Sequence, residues 1–179
     1  MINLKPHHVN YAVRIHELAS DPLVADALGL VNQTLENRLE FIQKMQQGEK
    51  EGTTCSRLVF HNYQMIGVTT LMYIDQQKKS CHLGSWLGVP YWGRGYNERA
   101  KCEILKIAFD TYGLERVFLG ARTQNRRSQA AQQKLPYLRQ HVMHDYPEEH
   151  QFLEEKEQQP CILNVVEKDD FYAFLNIAR

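Results

Sequence analysis

The chain has 179 residues, of which 43% are hydrophobic and 23% charged, with 21 basic side chains balanced by 21 acidic ones. That length predicts one domain with a core large enough to fold without staples, and the zero net charge argues against a dedicated nucleic-acid binder, which carries a basic excess. No apolar run approaches the roughly 18 residues of a membrane span, and the start Met1-Ile2-Asn3-Leu4-Lys5-Pro6 lacks the apolar stretch of a secretory signal.

In chain order, a first strand is expected over about Tyr11 to Leu18, after Pro6-His7-His8, and a helical stretch near Pro22 to Leu28. A second helix is better marked. Leu35, Leu39 and Ile42 recur at i, i+4 and i+7, Asn32 or Thr34 can cap the start, and Gly48 can end it. The middle reads as β. Arg57 to His61 is a short strand, Asn62-Tyr63-Gln64 a turn, Met65 to Ile74 a central strand, Asp75 to Ser80 a polar turn and Cys81 to Gly88 the next strand. Three antiparallel strands with short turns form a meander.

From Glu98 to Tyr112 the period becomes helical: Ile104, Ile107, Ala108 and Thr111 share a face, and Gly113 suits the residue after the end. Val117 to Ala121 is a buried strand, and Asn125 to Lys134 a short helix stopped by Pro136. Strand, glycine-containing turn, helix, strand is a βαβ unit with two parallel strands. Cys161 to Val166 and Phe171 to Ile177, across Glu167-Lys168-Asp169-Asp170, read as a terminal hairpin. The class is α+β, a mixed sheet with about four helices, without linker or repeat, hence one domain over 1–179. Cys55, Cys81, Cys102 and Cys161 are too scattered for a zinc or redox pair and fit reduced thiols in a cytoplasmic protein. His7, His8, His61, His141, His144 and His150 show no metal-ligand spacing.

The chemistry is expected in one turn, Val89-Pro90-Tyr91-Trp92-Gly93-Arg94-Gly95-Tyr96-Asn97-Glu98, between a strand and an amphipathic helix. Glycines let the backbone approach a ligand and adopt positive φ. The first turn of the helix leaves N–H groups unpaired at its positive end, which suits a phosphate or diphosphate. Taken alone, Gly93-x-Gly95 reads first as a tight turn; it is neither a P-loop nor a full GxGxxG.

The surrounding order carries more. Trp86-Leu87-Gly88, Arg94-Gly95-Tyr96 with Glu98 and a helix, Gly113-Leu114-Glu115-Arg116-Val117 and a strand, then Asn125-Arg126-Arg127-Ser128 with Lys134-Leu135, resembles the GNAT acyl-CoA-dependent N-acetyltransferases. Within them it is similar to the subgroup that acetylates ribosomal-protein N-termini (alanine or serine) and related amines. The strong resemblance covers about Ser80 to Leu135. It implies a GNAT fold: an antiparallel meander joined to the βαβ unit and a C-terminal hairpin in one mixed, splayed sheet.

The resemblance also implies acetyl-CoA as cosubstrate, without metal. The family's diphosphate loop falls on Trp92, Gly95 and Asn97, with Gly93, Arg94 and Tyr96 completing it. Asn97 departs from the usual Gly or Ala; a larger residue crowds the phosphates, or caps the helix and still offers its N–H. Leu87 and Val89 would offer backbone groups to the pantetheine arm, which lies between two diverging strands like an added strand. Asn125 would touch the same arm or cap its own helix. Ser128 would sit near the CoA sulfur and donate to the departing thiolate; its other reading is a helix-surface serine bonding its own backbone. His82 stands where the subgroup often has Glu and is the expected base, although a strand histidine is commonly just a satisfied polar group. A backbone N–H near Leu87 is the expected oxyanion donor. The tyrosine that many members use as acid falls on Gln132, with Tyr137 a weaker substitute. Arg126 and Arg127 either reach the CoA 3′-phosphate or simply open a helix. The acidic run Asp145 to Glu157 reads as a substrate-facing lid for cationic amines, or as a surface helix.

The implied reaction is acetyl transfer to a primary amine, a protein N-terminus or a small molecule, by direct attack in a ternary complex. The alternative is a non-catalytic acyl-CoA-binding or regulatory domain, prompted by His82, Asn97 and Pro136; an unrelated α+β interaction module is the third. The expected partner is the amine, with no nucleic acid and no membrane. Edge strands of such sheets often pair, which leaves a homodimer open.

Overall fold

Six strands form one mixed sheet in the order β1-β2-β3-β4-β5-β6. They are β1 Ile2–Pro6, β2 Cys55–His61, β3 Gln64–Asp75, β4 Ser80–Leu87, β5 Arg116–Arg122 and β6 Cys161–Glu167. The helices are α1 Ala12–Ala19, α2 Pro22–Leu28, α3 Leu35–Glu51, α4 Tyr96–Lys106, α5 Arg126–Gln133, α6 Pro147–Glu157 and α7 Lys168–Ile177. The structure is a computed structural model and describes residues 1–177. The β4–β5 pair is parallel, while β1–β2, β2–β3 and β5–β6 are antiparallel. Backbone contacts divide the chain into two compact units: Met1–Ile74 with Gly84–Lys106, and Asp75–Leu83 with the chain from Ile107 onward.

In the first unit, successive side chains of β2 point to opposite faces. Leu58 and Phe60 meet Ala12, Ile15 and Leu18 of α1 and Ile42 of α3 on one side. Val59 and, from β3, Ile66 meet Ile2, Leu87 and Ala100 of α4 on the other. Helices thus cover both faces of β3, whose residues Met65 to Leu71 are all buried. The expected strand at Tyr11 to Leu18 is instead α1. Ala12, Ile15, Leu18 and Ala19 are its buried residues, and that spacing is one helical stripe. The expected start of α3 holds: Thr34 and Asn37 form a reciprocal capping box. Its end does not. Gly48 lies inside the helix, where a Cβ would come within 2.9 Å of Thr54, and the stop is Gly52 at φ 73°. β1 was not anticipated from sequence; it pairs along β2 from Ile2↔His61 to Pro6↔Arg57.

In the second unit, Phe118, Val142, Leu163 and Val165 form a core with Met143, Tyr146 and Leu153 against it. The helix begun as α4 ends in a π turn over Ile107–Thr111, and Gly113 follows at φ 65°. The expected terminal hairpin is corrected: β6 is followed by α7. Asp169 and Asp170 in its first turn complement a helix start. Phe171 and Phe174, three residues apart, both pack on Tyr137, at ring-centroid distances of 4.9 and 5.8 Å. α6 was weighed only as a surface helix or lid. It packs on the sheet because Gly120 of β5 carries no Cβ where Leu153 lies.

Two outcomes follow from the first unit. A Cβ on Gly67 would fall on the Trp86 carbonyl oxygen and within 2.8 Å of Leu87 Cα. Gly67→Ala is therefore expected to cost about 1–3 kcal/mol in urea denaturation. His7, 6% exposed, shares a 2.8 Å hydrogen bond with Ser56, whose hydroxyl lies 2.7 Å from Thr70 Oγ1. Burial, aided by the charge of Arg57, lowers its pKa to about 4. Between pH 6.5 and about 4 the unfolded chain binds a proton that folded His7 does not, so stability falls as pH falls through that window. The full loss is on the order of 3 kcal/mol, and His7→Gln should flatten that part of a stability curve measured from pH 7 to pH 4.

Candidate active site

β4 ends at Leu87, and a single 3-10 turn, Val89–Tyr91, leads to Trp92 in extended conformation at ψ 153°. Gly93 and Gly95 follow at φ 72° and 73°, with nothing within 4 Å of a Cβ built on either. They are required for backbone conformation rather than for space. α4 then opens with the Arg99 N–H donating to the Gly95 carbonyl at 3.3 Å. Among the described residues, the backbone amides from Gly93 to Glu98 have no acceptor within the chain. Arg94 is exposed beside them.

Trp92 holds this turn against the strand. Its indole Nε1–H donates to the Leu87 carbonyl at 2.7 Å, and its backbone N–H donates to Val89 at 3.1 Å. The Tyr91 hydroxyl accepts from Arg14 of α1 at 2.8 Å. Tyr96 stacks on His61 at 4.4 Å between ring centroids. The Leu87 carbonyl, an expected pantetheine contact, thus accepts one hydrogen bond from the indole.

Asn97 is half-buried, and its Oδ1 is buried with no hydrogen-bond partner. One turn further, Lys101 is 6% exposed, with no hydrogen bond or ion pair among the described residues, and burial lowers its pKa to about 8. Sequence reasoning missed Lys101. The available signal was a lysine three residues from Ile104 and four from Leu105, on the apolar face of α4.

The second unit holds the remaining candidates. His82 of β4 is 6% exposed, beside the start of β5 at His82↔Phe118. Its Nε2 lies 2.8 Å from Glu149 Oε2, and its ring packs on Phe118 and Phe152. Glu149 also meets Lys78 at 3.3 Å, and the His82 hydrogen bond holds its carboxyl below the usual range. A buried imidazole backed by a carboxylate is an oriented base. Glu149 was not singled out; only its place in the acidic run pointed to it.

Asn125 caps α5, its Oδ1 accepting from the Ser128 N–H at 3.0 Å. The Ser128 hydroxyl accepts from Gln132 at 3.3 Å. Gln132 is a buried amide bonded to Gly120 and Asn164. Tyr137 is 6% exposed and belongs to the aromatic packing around Phe171. Arg126 and Arg127 are exposed at the start of α5. The acidic run proves to be α6 with neighbouring ion pairs. Glu149 meets His82, Glu154 accepts from Cys161 N, Glu157 meets Arg122 and Asp145 meets Arg139. These four of the six carboxylates of the run are thus engaged within their own unit.

A mixed sheet with one parallel pair, whose strand-to-helix glycine turn leaves a run of amides without acceptors, is the architecture of an acyl-group transferase. A family model described as acetyltransferase (GNAT) domain matches residues 2–137, and the chain belongs to that family as a GNAT-type acetyltransferase. Solved structures share the fold. The microcin self-immunity acetyltransferase MccE, in complex with acetyl-CoA and AMP, has a TM-score of 0.72 at 16% identity, covering 93% of this chain and 91% of that one. A chimera of the spermidine N-acetyltransferase SpeG from Vibrio cholerae and hSSAT has 0.73 at 12%, covering 96% and 98%. RimL, a ribosomal alpha-N-protein acetyltransferase in complex with coenzyme A, has 0.69 at 16%, covering 78% and 80%. At such identities the likeness is one of fold. No curated protein matches the chain in sequence.

Lys101 gives a signed outcome. Between pH 8 and 10.5 the unfolded chain keeps a proton that folded Lys101 has lost, so stability rises with pH across that window. Lys101→Met should abolish the rise and stabilise the protein at pH 7 by on the order of 3 kcal/mol, both read by denaturant melts at pH 7, 8.5 and 10.

Proposed function

We propose that the chain transfers the acetyl group of acetyl-CoA to a primary amine, a protein N-terminus or a small molecule, by direct attack in a ternary complex. The supporting observation is the run of amides from Gly93 to Glu98 without acceptors, at the positive end of α4. A diphosphate supplies the acceptors that run lacks, with the Arg94 guanidinium beside it. Asn97, turned about its last side-chain bond, offers its NH2 to the same group. The Leu87 carbonyl accepts from the Trp92 indole and the Val89 carbonyl from the Trp92 N–H, and the second lone pair of each leaves Leu87 and Val89 able to offer backbone groups to the pantetheine arm. Asn125 serves first as the α5 cap and borders the arm.

The amine nitrogen attacks the thioester carbon. The C–N bond forms as the carbonyl π pair moves to oxygen, where a backbone N–H near Leu87 stabilises the charge. His82, oriented by Glu149, takes the proton from the attacking nitrogen. The C–S bond then breaks, and the sulfur leaves with its electron pair toward the Ser128 hydroxyl. His82 and Ser128 are the catalytic residues of this reading.

The acceptor class favoured is a protein N-terminus of the ribosomal type, on the motif order around Trp86 to Ser128 and the shared fold with RimL. The two units act as one acetyltransferase domain, a reading supported by a family match that spans the first unit from residue 2 and extends into the second as far as residue 137. No described helix is long and apolar enough to cross a membrane. A cytoplasmic setting and a homodimer complete the proposal.

Thiol release from acetyl-CoA, measured with a panel of N-terminal peptides, polyamines, aminoglycosides and amino acids, tests it. Turnover with at least one amine is expected, and its absence across the panel rejects the reading. Gly95→Val, forced to φ 73°, should weaken CoA binding at least tenfold in calorimetry. His82→Ala should lower kcat at least tenfold with KM for acetyl-CoA unchanged; a loss under threefold removes His82 from the reaction.

A further inference from the structure

A buried chain of polar groups in the second unit has donor directions that can be read from its ends. The backbone N–H of His141 can only donate, and it lies 2.9 Å from Asn164 Oδ1. Asn164 therefore presents Nδ2 to Gln132, donating to Oε1 at 2.7 Å. Gln132 is then left with Nε2 facing outward. One of its hydrogens goes to the Gly120 carbonyl at 3.0 Å, a group that can only accept, and the other to Ser128 Oγ at 3.3 Å. The obligate donor at one end and the obligate acceptor at the other agree on one assignment of the two amides.

The surroundings keep that assignment in place. Asn164 is 1% exposed and Gln132 3%, so neither amide can exchange these partners for water. β5 and β6 fix their spacing through Leu119↔Asn164 and Gly120↔Leu163. Reversing the chain would set the Gln132 carbonyl against the Gly120 carbonyl, and a buried clash of two acceptors is costly. Ser128 Oγ therefore accepts from inside. A hydroxyl has a single hydrogen, and that of Ser128 points away from the amide pair.

We propose that Gln132 and Asn164 are positioning residues, which hold the Ser128 hydroxyl as a donor toward the sulfur leaving the acyl donor. This rests on the acetyltransferase reading and adds to it why the Ser128 proton faces the reaction rather than the core. No charge moves along the pair. The amides set a direction, and the hydroxyl supplies a hydrogen bond to sulfur as the C–S bond breaks.

Asn164→Asp exchanges the one Nδ2 donor for an acceptor. Gln132 must then turn its Nε2 inward, and the Ser128 hydrogen is drawn toward the Gln132 carbonyl. Gln132→Met removes the relay with an unbranched side chain of similar length. Each is expected to lower kcat about tenfold, and Ser128→Ala by the same factor, with KM for amine and for acetyl-CoA within twofold. In a Ser128→Ala background, either change should cost less than a further twofold. A loss that persists undiminished in that background marks a merely structural role and overturns the proposal. So does an unchanged kcat in Gln132→Met, whose folding is checked by its thermal melt should Asn164→Asp fail to fold. Wild-type turnover with Ser128→Ala at full rate overturns this proposal and the catalytic role of Ser128, and leaves acetyl transfer itself standing. Absence of turnover in the wild-type chain overturns the acetyltransferase reading and this inference with it.

Discussion

The hydrogen bond from the Trp92 indole to the Leu87 carbonyl decides where β4 stops and where α4 starts. A strand end has carbonyls and amides with no ladder to join. Here one is capped by a side chain five residues ahead, which folds the chain back on itself. Gly88 lets α1 close in from the side, since a Cβ there would fall 2.6 Å from Leu18 Cδ2, and Arg14 of α1 pins the Tyr91 hydroxyl. With Trp92 held, two left-handed glycines are what the backbone needs to reach Tyr96 and begin the helix. The run of amides without acceptors is the by-product of that route.

Buried polarity is matched in both units: His7, Ser56 and Thr70 are joined in the first, and in the second His82 has Glu149 while Gln132 and Asn164 satisfy each other and their neighbours. Matched networks of this kind rigidify what they join. In the first unit, Asn97 Oδ1 and the Nε and Nη2 atoms of Arg38 lack partners, and Lys101 buries an ammonium. Such groups cost folding free energy. Those on α4 lie within two turns of the amide run, where local rules tend to yield to function.

Much of the fold was legible because period and punctuation agreed. β3, β4, β5, α2 and α5 fall within two residues of their expected bounds, the strands and α2 marked by apolar runs and the polar α5 by Asn125 before it and Pro136 after it. α1 was misread because Tyr11, Val13 and Ile15 carry strand propensity, which its helical stripe overrides. The second half of the expected hairpin failed for the opposite reason: Phe171 and Phe174 are spaced for a helix, and aromatic content obscured it. Within the site, the glycine loop and the Asn125 cap were readable from local pattern. Glu149 and Asn164 were not, since they reach His82 and Gln132 across 67 and 32 residues. Only tertiary folding joins such pairs.

The outer side of β6 is already in use. Arg139 exchanges both backbone hydrogen bonds with Val165, and the Val142 N–H donates to Leu163. This short segment closes the border that a missing seventh strand would leave open, as natural sheets commonly guard exposed margins. Ladder extension at the margin of the sheet is thereby left to the opposite side, at β1. There Pro6 brings no N–H, and Lys5 lies over the Phe60 ring at 4.4 Å.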